Sequence, residues 1–80
     1  MINVKVRVYA SLKEYLPELG HGESAEVTMP PGATIETLLD KLGIPRSEVK
    51  LCYVGGLYRE QSYALREDDE VALFPPVGGG

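Results

Sequence analysis

What this chain can fold into is set first by residues 34–45, where Ile35, Leu38, Leu39 and Leu42 recur at i, i+3, i+4 and i+7 behind Thr34, which is placed to cap them. Such a segment is a helix with one apolar face. Glu36 falls in its electropositive first turn, and Gly43, followed by Ile44 and Pro45, supplies a left-handed stop with an apolar residue to fold back on the last turn. Both ends are specified, so the helix is short and needs an apolar surface to cover.

The flanking stretches provide that surface as strands. Ile2, Val4, Val6 and Val8 alternate with Asn3, Lys5, Arg7 and Tyr9, the period of a half-buried strand with β-branched residues on its inner side. Ser11 with Glu14 fits the capping box of a brief helix whose apolar side is Leu12, Tyr15 and Leu16, and Pro17 cuts it short. After a turn at Gly20, His21, Gly22 and Glu23, Ala25, Val27 and Met29 alternate with Glu26 and Thr28 in a second strand, expected to form an antiparallel hairpin with the first. Beyond the main helix, Arg46, Ser47 and Glu48 read as an irregular connector and residues 51–54 as a third strand. Gly55 and Gly56 permit a tight reversal into a short strand at Leu57 and Tyr58. Leu65 points inward from a loop, Glu67, Asp68 and Asp69 make an acidic turn, and residues 70–74 form the last strand. The order reads as β-β-α-β-β with a short extra helix after the first strand, an α+β fold in which a mixed sheet packs on one main helix.

Eighty residues allow one small domain with little stability to spare for a deep catalytic cleft. The net charge of -4 and the scattered Lys and Arg argue against nucleic acid, which requires a basic stripe. Cys52 is the single cysteine, so no internal disulfide or thiolate metal cage is expected. No apolar run has membrane-spanning length and the N-terminus alternates, so no membrane association is expected and the location is read as cytoplasmic. His21 reads as a solvated turn residue and Cys52 as a small core residue, and no Ser/His/Asp or Cys/His set is apparent.

The C-terminus is the stretch with chemical potential. The last strand meets Pro75 and Pro76, which cannot continue a ladder, and Val77, Gly78, Gly79 and Gly80 follow. Residues 1–76 are read as the domain and 77–80 as a flexible tail, thin enough to enter a slot that excludes any other residue type and to present the Gly80 carboxylate there. With Val4, Val6, Val8, Val71 and Leu73 inward, strand parity turns Tyr9 and Phe74 outward beside the tail exit, with Leu57 or Tyr58 able to complete an apolar patch and Pro75 next to it.

The order of elements, the run Leu65-Arg66-Glu67-Asp68-Asp69-Glu70-Val71-Ala72-Leu73-Phe74-Pro75-Pro76-Val77 and the terminal Gly79-Gly80 resemble the MoaD/ThiS family of ubiquitin-like sulfur carriers over essentially the whole chain. Phe-Pro-Pro-Val with a Gly-Gly ending is most like the molybdopterin synthase small-subunit (MoaD) branch. Asp68 stands where that family often has glycine, and Gly55 where it commonly has asparagine.

The resemblance implies a ubiquitin-like β-grasp and a division of labour. An E1-like adenylating enzyme of the MoaB/MoeB/ThiF type would consume ATP to couple the Gly80 carboxylate to AMP, and a sulfur donor would leave a thiocarboxylate. The large subunit of molybdopterin synthase (MoaE type), in a heterotetramer, would pass that sulfur to a pyranopterin precursor in molybdenum or tungsten cofactor biosynthesis. Val77, Gly78 and Gly79 would thread the partner's channel, while Tyr9, Leu57, Tyr58, Phe74 and Pro75 would dock. No bound cofactor and no metal is implied, and the chain would carry no catalytic side chains of its own. Three alternatives share the sequence: a carrier for thiamine or another product, a modifier joined to protein lysines through Gly80, and an interaction module with an inert tail.

Overall fold

The computed structural model describes residues 1–20 and 23–76. Strand β1 (Ile2–Val8) pairs antiparallel with β2 (Ala25–Met29), the hairpin expected from their alternation. Helix α1 (Ile35–Leu42) crosses the sheet, after which β3 (Leu51–Val54), β4 (Leu57–Arg59) and β5 (Glu70–Phe74) complete it. The sheet has five strands in the order β2-β1-β5-β3-β4, with β5 parallel to β1 and antiparallel to β3. Counting the short β4, the order along the chain is β-β-α-β-β-β.

Alternation decides the faces. Val4, Val6, Val8, Val27, Met29, Cys52, Val54, Val71 and Leu73 are all buried on the helix side. They meet Ile35, Leu38 and Leu39 of α1 and Leu12, Ile44 and Leu65 from the connections in one cluster. Burial of branched apolar side chains on both layers supplies the main drive to fold.

The main helix carries the caps its sequence calls for. The Thr34 side chain accepts from the Thr37 N–H and the Thr37 hydroxyl accepts from the Thr34 N–H, a reciprocal box made by two threonines. Gly43 takes φ 75°, and the Ile44 N–H donates to the Leu39 carbonyl at 2.9 Å as Ile44 folds into the core. The loop after β4 closes the other end: Ile35 and Glu36 donate their N–H groups to the carbonyls of Tyr63 and Gln61. These helix donors are therefore spent inside the fold.

Two connections differ from expectation. The segment after β1 is a 3₁₀ helix, Ala10–Tyr15, that starts beyond Tyr9, so Ser11 lies inside it and makes no cap. Ala10, at φ 54°, swings the chain sharply, and Pro17 closes the segment off, which leaves too few residues for an α-helix while Leu12 and Leu16 reach the core. The connector Arg46–Glu48 is likewise a 3₁₀ turn rather than irregular, and Arg46 donates to Asp40 at 2.8 Å. That contact raises the Arg46 pKa further, first through the hydrogen bond and then through the charge of Asp40.

The acidic turn is structural. The Asn3 N–H donates to Glu67 Oε1 at 3.0 Å and the Arg66 N–H to Asp69 Oδ2 at 2.8 Å, which ties the turn to the start of β1. Asp68 adopts φ 66°, the left-handed geometry in which aspartate can stand in for glycine.

Candidate docking face and tail exit

The sheet face away from α1 is organised as cross-strand rows. Tyr9, Phe74 and Leu51 form the row nearest the end of β5, since Leu51 is registered with Phe74 and Tyr9 stacks on Phe74 with ring centroids 4.5 Å apart. Arg7, Ala72, Tyr53 and Tyr58 form the next, registered one against another across β1, β5, β3 and β4. Tyr53 joins the two rows: its ring meets Phe74 edge-on at 5.6 Å and Tyr58 edge-on at 6.1 Å. A continuous set of four rings therefore runs from the end of β1 across β5 and β3 to β4, with geometries that add to the stabilisation from buried area.

Both aromatics assigned outward by parity are outward, half-buried and in contact. Neither the 3₁₀ helix nor an edge loop separates them. Tyr58, 54% exposed, extends the row through Tyr53. Leu57 does not join it: registered with Val54, it lies on the helix-facing side of the edge strand and is 60% exposed. Pro75 lines an apolar cleft with Tyr9, Ala10, Leu51, Phe74 and Pro76. The sequence reading missed Tyr53 and Leu51, although alternation with the inward Cys52 and Val54 would have placed both on this face.

The exit of the tail is anchored by backbone bonds. The Tyr9 N–H donates to the Leu73 carbonyl and the Lys50 N–H to the Phe74 carbonyl at 2.8 Å. Pro75 has no N–H to extend the ladder, so strand pairing ends at Phe74. Gly80, with Val77, Gly78 and Gly79, lies outside the described residues, as does His21. Cys52 is buried against the core and burial pushes its thiol pKa up, which disfavours a thiolate. Among the described residues no three His, Cys, Asp or Glu side chains gather where they could hold a metal ion, and no helix is long and apolar enough to cross a membrane.

A mixed five-stranded sheet grasping one helix, with the last strand parallel to the first and an aromatic face beside the end of β5, defines a ubiquitin-like β-grasp domain. The family model described as Mut7-C ubiquitin matches residues 1–78. A molybdopterin synthase sulfur carrier subunit from Arabidopsis thaliana is 31% identical over 87 aligned positions, covering 99% of this chain and 84% of that one. Among solved structures, small archaeal modifier protein 1 of Haloferax volcanii superposes with a TM-score of 0.74 at 22% identity, over 96% of this chain and 100% of that one. A Pyrococcus furiosus protein described as subunit 1 of a molybdopterin converting factor gives 0.72 at 21%, with the same coverage of 96% and 100%. These structural likenesses establish the β-grasp. By the family match and the curated relative, the chain belongs to the Mut7-C ubiquitin family, within the MoaD/ThiS-like ubiquitin-like sulfur carriers.

Proposed function

We propose that the chain is the sulfur-carrying small subunit of a molybdopterin synthase and works through the Gly80 carboxylate. The observation that carries this reading is the aromatic row ending at Tyr9 and Phe74, one residue before Pro75 and the glycine tail. A partner gripping that row holds the start of the tail at a set distance from its own site. An E1-like enzyme supplies the chemistry: a Gly80 carboxylate oxygen attacks the α-phosphorus of ATP, pyrophosphate leaves, and hydrosulfide from a sulfur donor then attacks the acyl carbon, expels AMP and gives up its proton. The resulting thiocarboxylate is the sulfur source for the pyranopterin in the large subunit, with two carriers on a dimer of large subunits. Val77, Gly78 and Gly79 thread the channel, no cofactor is held by this chain, and the cytoplasm is where its partners act.

Intact mass of protein purified from its own cell without reductant, and of protein incubated with ATP and the host's activating enzyme, tests this directly. A shift matching replacement of one oxygen by sulfur, localised to Gly80, is the expected result. An unmodified terminus in both samples removes the proposal. Conjugation to lysines starts from the same adenylate, and the likeness to the Haloferax modifier protein motivates a second readout. Gly80-linked lysine remnants in a cell digest would mark that activity, whereas transfer confined to a pterin product marks the carrier.

A further inference from the structure

The row of Ala72, Tyr53 and Tyr58 does not end in an apolar residue at β1; it ends in Arg7. Arg7 is registered with Ala72, Ala72 with Tyr53 and Tyr53 with Tyr58, and Arg7 and Tyr53 line one depression, so a surface laid along this row meets Arg7 as well as the rings. The small side chain of Ala72 leaves a depression of about 300 Å³ lined also by Lys5, Arg7, Tyr9, Tyr53 and Glu70. Its charges are not evenly matched. Lys5 is registered between Glu26 on β2 and Glu70 on β5, while Arg7 is registered with Ala72 and has no carboxylate directly opposite it. Among the described residues the Arg7 side chain makes no hydrogen bond or ion pair.

In the free protein water solvates Arg7, which is exposed. Docking removes that water, and a dehydrated guanidinium without an acceptor opposes binding strongly. The geometry points to a carboxylate side chain of the docking protein as the occupant of the Ala72 depression, accepting from Arg7 in a forked pair while the apolar part of the same surface rests on Tyr53, Phe74 and Tyr9. This inference rests on the reading of the aromatic face as the docking surface. It adds a polar address: an aspartate or glutamate set one cross-strand row from an apolar anchor selects the correct partner, and one lacking it is rejected.

The test uses the full chain and the E1-like adenylating enzyme of the same organism, with affinity measured by surface plasmon resonance at low salt. Arg7→Glu is expected to weaken binding roughly thirtyfold or more, with Arg7→Lys retaining more of it and the thermal midpoint unchanged. The double variant Lys5→Arg with Arg7→Lys keeps both charges and places an amine at position 7; carbodiimide treatment of the complex then links that position to an aspartate or glutamate of the enzyme. Unaltered affinity for Arg7→Glu, or no carboxylate link from position 7, overturns the inference while Phe74→Ala still weakens docking and upholds the face. Unaltered affinity for both Arg7→Glu and Phe74→Ala overturns the docking face and the inference together.

Discussion

The rings of Tyr9 and Phe74 lie 6° from parallel with centroids 4.5 Å apart, although the residues come from opposite ends of the chain. The parallel pairing of β1 and β5 is what brings them together. A surface patch is thereby made at the end of β5, beside Pro75.

Replacing either ring by alanine should therefore act on association more than on folding. Phe74→Ala and Tyr9→Ala are each expected to cost about 2 kcal/mol or more in binding to the activating enzyme. The loss in folding stability should stay near 1 kcal/mol, because both side chains are only half-buried. Calorimetric titration and thermal melts separate the two effects. A large fall in melting temperature with binding preserved would show that the stack serves the fold instead.

The tail separates in the same way. Deleting Gly80 is expected to abolish thiocarboxylate formation and leave the melting curve unchanged, since the core is built from residues upstream of Pro75. Gly79→Val should block activation by bulk alone. Turnover of ATP with retained sulfur transfer in Gly79→Val would count against a narrow channel.

The threonine cap should be measurable in the fold. Thr34→Ala removes the acceptor for the Thr37 N–H and is expected to cost about 1 kcal/mol, or a fall of roughly 4–8 °C in melting temperature for a domain of this size. Docking affinity should be unchanged, because α1 lies on the opposite face of the sheet from the aromatic row.

The β3–β4 turn depends on backbone geometry alone. Gly55 and Gly56 take φ 59° and 84°, and a Cβ at either would meet nothing within 4 Å. Gly56→Ala is therefore expected to cost about 1 kcal/mol through the left-handed conformation, whereas Gly55→Asn should be nearly neutral. Denaturant melts compare the pair; equal losses would show that asparagine has no left-handed advantage at position 55.

Cys52 should resist alkylation in the native state. Its thiol pKa is raised by burial, so the neutral form is favoured on folding. The sign follows: this contribution is complete below the unfolded-state thiol value, near 9.0, and is lost as pH rises through the higher folded-state value. Cys52→Ala should flatten that alkaline decline without affecting sulfur transfer, as stability measured across alkaline pH would show.

Much of the architecture was legible in the chain because its determinants are local. Thr34, Gly43 and Ile44 announce both ends of α1, the valines of β1 and β5 announce their inner faces, and Pro75 and Pro76 announce where the ladder stops. The short helix after β1 is present where the sequence places it, but its cap was misread because Ser11 and Glu14 satisfy a capping pattern, whereas the helix starts at Ala10, in a left-handed conformation, with no side-chain cap.

The sequence by itself determined which side chains face outward and the caps of α1. Only the tertiary structure decided which outward residues are neighbours. A period of two assigns Tyr9, Tyr53, Tyr58, Phe74 and Arg7 to one face, but register and strand order assemble them into adjoining rows, and these depend on pairings between residues far apart in the chain.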